Sequence, residues 1–266
     1  MNSSGLSARI VAITSGKGGV GKTFVAANLA AALVKRGRRV LVLDADLGLA
    51  NLDIVLNLNP KATLHDALTG QCAIKDIVLA APGGFWVMPA ASGLIEYSRL
   101  TSDVQGELRR IIDELSGQYD YLILDTGAGI SDLVLFVASL AKEVLIVATP
   151  EPASIADAYA TIKILALMQQ RTSLNLVFNQ ARNAADGRKL TEQLQQVVDR
   201  FVNTQTATAV RLVHLGHIPG DPAVGSAARK RQLLFVQAPD SPASKAVAEL
   251  AEALDAPAKV SHCAPQ

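Results

Sequence analysis

The chain has 266 residues, half of them hydrophobic, with 18% charged and a formal net charge of +1. That length buries a large core, and the near-neutral charge argues against a broad electrostatic footprint for nucleic acid or an anionic membrane. Its two cysteines, Cys72 and Cys263, lack metal-ligand spacing, so a reducing, cytoplasmic setting is expected. The first residues lack the basic and apolar runs of a signal peptide, and no stretch reaches the length of a transmembrane helix.

In chain order, β-branched runs at 9–15, 39–46, 85–90, 119–126, 143–150, 173–179 and 211–219 read as strands covered on both faces. Helical patterns fall near 22–36, 62–69, 101–116, 131–141, 153–170, 187–202 and 241–254. Alternation of this kind predicts right-handed βαβ units in an α/β fold: a doubly wound, mostly parallel sheet flanked by helices. One domain over 1–255 is expected, with a disordered tail at 256–266. The Gly/Pro-rich stretches 47–61 and 219–225 read as irregular loops, and loops at strand carboxyl ends are where such sheets bind ligands.

Residues Gly16, Lys17, Gly18, Gly19, Val20, Gly21, Lys22 and Thr23 match the P-loop pattern, between a strand and a helix as the motif requires. The glycines let backbone N–H groups converge on phosphate at a helix start. Lys22 can reach the β- and γ-phosphates and the Thr23 hydroxyl can ligate Mg²⁺. The same glycines spell a dinucleotide fingerprint, with Asp44 placed 23 residues past Gly21, which leaves a nicotinamide-dependent oxidoreductase as a rival. That rival gives Lys22 and Thr23 no task. Asp44 and Asp46 end one strand on a shared face, and Asp125 ends the apolar run 121–124 as a Walker-B carboxylate. Asp125 and Asp46, with Thr23, are candidate Mg²⁺ ligands, and Asp46 is the candidate for orienting the attacking water.

Lys17 inside the loop, the acidic segments 44–53 and 125–130, and the phrases at 63–70, 89–93 and 151–163 together resemble the MinD/ParA family of deviant Walker-A ATPases, and within it the FlhG/FleN flagellar-number subfamily. The resemblance spans roughly residues 9–250. It implies an ATP- and Mg²⁺-binding switch that hydrolyses ATP slowly to ADP and forms a homodimer with ATP. Lys17 then reaches the partner subunit's nucleotide as a catalytic cation, beside Lys22 and Asp46. It further implies that Asn179 binds the adenine edge, that Pro219 to Asp221 close the base pocket, and that Glu151 lies near the partner's ribose. Implied partners are a flagellar transcription activator, an FlhF-type GTPase or rotor-switch components, with recruitment to a cell pole or the membrane periphery and no direct nucleic-acid binding. Another positioning ATPase, for cell division, DNA partition or a secretion complex, is the alternative. About eight residues precede the first strand, so the FlhF-activating segment of some members is expected to be absent or very short. The apolar stripe Ala246, Val247, Leu250, Ala251 and Leu254 opposes a face with one Lys and two Glu, which favours a packing helix over a membrane helix. His214 and His217, three apart on a strand, are expected on opposite faces. Arg182, Arg188, Lys189 and Arg229 to Arg231 read as solvated.

Overall fold

A computed structural model describes residues 7–48, 50–90 and 100–257. Leu49, most of the phrase at 89–93 and the tail from 258 onward lie outside the described residues, as do His262 and Cys263. The first half runs β1 (Arg9–Ser15), α1 (Lys22–Lys35), β2 (Val40–Ala45), α2 (Leu52–Val55), α3 (Leu64–Leu68), α4 (Ile74–Ile77), β3 (Leu79–Ala80), β4 (Trp86–Met88), α5 (Ser102–Ser116) and β5 (Tyr121–Ala128). The second half runs α6 (Asp132–Leu140), β6 (Glu143–Ala148), α7 (Pro152–Gln169), β7 (Ser173–Ala181), α8 (Ala184–Phe201), β8 (Arg211–Pro219), α9 (Pro222–Arg229), α10 (Leu234–Gln237) and α11 (Pro242–Asp255).

The sheet order is β3-β4-β2-β5-β1-β6-β7-β8, parallel except for the antiparallel β3–β4 pair. Period-two alternation sends each strand's apolar residues to two cores. Val11, Ile13, Val40 and Val42 face α1 and α11. Ala12, Leu41 and Leu43 face the helices of the opposite layer, α5 and α6 among them. β1 lies between β5 and β6; the chain runs from β1 to β2 toward one edge and later crosses from β5 to β6 toward the other, so the carboxyl end of β1 lies at a topological switch point.

The apolar stripe of α11 is buried against α1 and β8, as expected of a packing helix. Its last residue, Asp255, accepts from Arg36, Arg38 and the Tyr121 hydroxyl.

Three expectations are corrected. The stretch 47–61 contains α2, which is one turn long and too short to show a period. The stretch 219–225 is mostly ordered structure: β8 ends at Pro219, and Asp221 caps α9 by accepting from the Ala223 amide at 2.8 Å. His214 and His217 share a face, because the register pairs His214 with Leu176 and Gly216 with Val177, leaving Leu215 as an extra residue. His214 stacks on Phe178, which is the cross-strand partner of His217.

Candidate functional site

At the carboxyl ends of β1, β2 and β5 the chain forms a cleft of about 610 Å³, lined by Gly18, Gly19, Lys22, Thr23, Asp46 and Gly127 among others. Its floor is the loop between β1 and α1. Gly19 (φ 77°) and Gly21 (φ 98°) occupy the left-handed region, where a side chain is strained. Gly21 is the N-cap of α1 and offers no side-chain acceptor, so the first-turn amides are available to an anion. Gly16 has a different reason. A Cβ there would stand 2.5 Å from the carbonyl carbon of Asp157, because the first turns of α7 press on the loop.

Lys22 donates to Ser15 Oγ at 3.0 Å, and the same hydroxyl donates to the Lys17 carbonyl at 2.7 Å. Burial lowers the Lys22 pKa, while Asp125 and Asp46 oppose that shift. Lys17 does not share this arrangement. Its ammonium pairs with Glu151 Oε2 at 2.6 Å, with the two side chains 38% and 63% exposed.

The three aspartates do different things. Asp44 is buried and accepts the amides of Asp46, Asn51 and Leu52, each at 3.1 Å, so it shapes the turn after β2. Burial raises its pKa to about 6 against the pull of those three hydrogen bonds. Asp46 borders the cleft, its carboxylate 3.3 Å from where a Cβ on Gly127 would lie. Asp125 is buried behind it, hydrogen-bonded to Thr23, and burial followed by repulsion from Asp44 raises its pKa to about 7. Its Oδ1 is buried with no hydrogen-bond partner among the described residues. A buried acceptor of this kind beside a hydroxyl and a second carboxylate fits a hard divalent cation. No three His, Cys, Asp or Glu side chains among the described residues converge to hold a metal by themselves. That suits Mg²⁺, which keeps waters and takes substrate phosphate oxygens rather than a full protein cage.

The remaining candidates lie outside the cleft lining. Asn179 Nδ2 donates to the Val20 carbonyl at 2.8 Å and its Oδ1 accepts from the Gln180 amide at 3.0 Å, so the side chain ties β7 to the loop. Asp221 also accepts from the Ala243 amide at 3.1 Å, joining the starts of α9 and α11. Pro219 pairs with Ala181 at the end of β8. Glu151 is the N-cap residue of α7. Ser15 was given no role from sequence, although it directly precedes the glycines; Gly127 and Asp157 fall within the segments 125–130 and 151–163 that carry the resemblance, without a task of their own.

A family description reading "ParA: NUBPL iron-transfer P-loop NTPase" matches residues 7–255. The chain is 42% identical over 247 residues to the antiactivator FleN of Pseudomonas aeruginosa, covering 93% of this chain and 86% of that protein. It is 34% identical over 245 residues to the flagellum site-determining protein YlxH of Helicobacter pylori, covering 91% and 80%. The solved structure of the septum site-determining protein MinD with Mg-ADP from Pyrococcus horikoshii superposes with a TM-score of 0.73 at 28% identity, covering 93% of this chain and 96% of that one.

Proposed function

Because the chain belongs to the ParA/MinD family of P-loop ATPases, we propose that it is a nucleotide-driven switch that pairs as a two-fold dimer with ATP and sets flagellar number and placement. The observation that carries the switch is the position of Lys17. It sits in the phosphate loop, yet its ammonium lies on Glu151 instead of joining Lys22 at Ser15. A cation held half-exposed beside its own cleft suits delivery to a partner subunit's nucleotide, where it adds positive charge to the transition state. Ile54 on α2 and Ile130 after β5, 50% and 42% exposed, supply apolar surface near the acidic segments. Flagellar control rests on the likeness to FleN and YlxH.

In this reading the backbone amides of Gly18 to Thr23 receive the phosphates and Lys22 neutralises them. Thr23, Asp125 and Asp46 hold Mg²⁺, which supplies charge neutralisation at the phosphate oxygens. Asp46 also orients the attacking water, and Asp44 fixes Asp46 by accepting its amide. Asn179 and the turn from Pro219 to Asp221 flank the adenine, and Glu151 releases Lys17 when the partner arrives. The proposed binding partners are a flagellar transcription activator, an FlhF-type GTPase or rotor-switch components. The likeness to MinD supports a second reading, a positioning ATPase of another system. Iron transfer has little to stand on, since cluster cargo is held by paired thiolates and the two cysteines are Cys72 and Cys263.

Deletion in the native host separates the readings. Altered flagellar number or placement, restored by the wild-type gene and not by a Lys17→Ala copy, is expected. Unchanged flagella with misplaced septa or plasmids would move the protein to the second reading. In solution Lys17→Ala keeps ATP binding and loses dimerisation; loss of binding itself would mean the lysine acts on its own nucleotide.

A further inference from the structure

A second cavity lies at the amino ends of β7 and β8. β7 has nine residues, so this corner lies roughly 30 Å along the strand from the nucleotide cleft. α7 ends at Gln169, Gln170 turns left-handed (φ 52°), and Arg171 leads into β7. Between this corner and residues 205–208, which follow α8, is a cavity of about 360 Å³. Arg171 lines it, and also lines a neighbouring cleft of about 570 Å³ together with Lys142 and Met168.

Arg171 donates to the Ala138 carbonyl at 2.7 Å, the Lys142 carbonyl at 3.0 Å and Gln169 Oε1 at 3.4 Å. The first of these carbonyls lies in the last turn of α6, where intrahelical donors run out, and the second belongs to Lys142, just before β6. That explains where the guanidinium sits and leaves its charge without a counter-ion. A guanidinium has five N–H donors and stays ionised in proteins, so two donors remain after these three bonds. Burial alone shifts Arg171, downward; no carboxylate among the described residues offsets it. In the same cavity the Thr206 hydroxyl is buried with no hydrogen-bond partner among the described residues. Beside both, the last turn of α7 exposes Leu167 and Met168, the latter to 70%.

We propose that this corner docks an acidic segment of a protein partner, with a carboxylate side chain seated on Arg171 and Thr206 and an apolar neighbour lying on Leu167 and Met168. Charge complementarity selects the carboxylate. Leu167, at the edge of the cavity, and Met168, in the neighbouring cleft, select a peptide over a free small acid, which would leave both uncovered.

The test titrates the full chain, by amide chemical shifts, with acetyl-Leu-Glu-Leu-amide, acetyl-Leu-Gln-Leu-amide and succinate. The Glu peptide is expected to shift residues 166–172 and 205–208. It should bind about fivefold tighter than the Gln peptide, as one added charge-assisted hydrogen bond implies, and should weaken with salt. Arg171→Gln should abolish the difference between the peptides. If that variant loses the α6 cap and fails to fold, Thr206→Val and Met168→Ser stand in, since neither removes a contact the fold uses; both should weaken the Glu peptide and leave ATP turnover unchanged. Equal binding of the two peptides, shifts confined to other regions, or parental affinity in both stand-in variants overturns the proposal. Succinate binding as tightly as the Glu peptide also overturns it, in favour of a small-acid site.

Discussion

Gly16 and Gly18 are two residues apart in the phosphate loop, and the structure assigns them separate tasks that one methyl group can distinguish. In Gly16→Ala the new Cβ would meet the Asp157 carbonyl carbon at 2.5 Å, closer than any real side chain tolerates, and the obstacle is backbone held inside α7. The loop or the helix must move, and overpacking of this kind costs about 1–3 kcal/mol. For a chain of this size each kcal/mol shifts the melting temperature by about 2–4 °C, so a fall of about 2–12 °C is expected. Nucleotide affinity falls with it, since the displaced loop carries the phosphate-binding amides. In Gly18→Ala the nearest atom to the new Cβ is the Ala128 methyl at 4.0 Å, and the melting temperature should stay within about 2 °C, as surface substitutions usually do. Yet Gly18 lines the cleft, so its methyl occupies the space a phosphate must approach, and ATP binding is lost without a loss of stability. Thermal melts of the nucleotide-free proteins and titration with a fluorescent ATP analogue read the two effects separately. A Gly16→Ala protein with parental stability and affinity would refute the claimed contact of α7 with the loop. A Gly18→Ala protein that binds ATP normally would refute the cleft as the phosphate site.

Asn179→Ala strands the Val20 carbonyl and the Gln180 amide, which should cost about 1–3 kcal/mol in chemical denaturation even without nucleotide; an effect seen only with ATP present would show that the amide serves the base alone. Asp125 is pushed up to about 7 by burial, so its charged form opposes folding. The nucleotide-free protein therefore loses stability as pH rises from the unfolded value of about 3.9 toward 7, and denaturant midpoints at pH 5 and pH 8 should differ less in Asp125→Asn than in the wild type. Asp221 has the opposite sign: hydrogen bonds from the Ala243 and Ala223 amides hold its pKa below the usual carboxylate value. Its contribution is present above about pH 3.9 and disappears as pH falls through the lower folded value, so Asp221→Asn should flatten the acid end of the unfolding profile.

The phosphate loop was legible in sequence because its whole chemistry is contiguous: eight residues between a strand and a helix specify both shape and charge. The same holds for the alternation of apolar strands and helical segments, and for the packing face of α11, where five apolar residues recur at helical spacing. What escaped was of two kinds. One-turn helices such as α2 and α10 are too short for their pattern to repeat, and the bulge at Leu215 changes a face assignment without leaving a compositional trace. The other kind is long-range. Asn179 reaching Val20 spans 159 positions, and Asp157 meets Gly16 mainly through its backbone. The sequence puts Asp46 forward for the attacking water but does not say what Asp44 does. Only the fold shows one turned onto the backbone of the following segment and the other bordering the cleft.

The central claim is that ATP drives two chains together and that Asp46 serves the step that parts them. Sedimentation velocity of the Asp46→Ala protein with ATP and Mg²⁺, beside the same protein with ADP, tests it most directly. The account expects Asp46→Ala to bind ATP and accumulate as a dimer that ADP does not support. An ATP-loaded Asp46→Ala protein that sediments as a monomer at every concentration would contradict it.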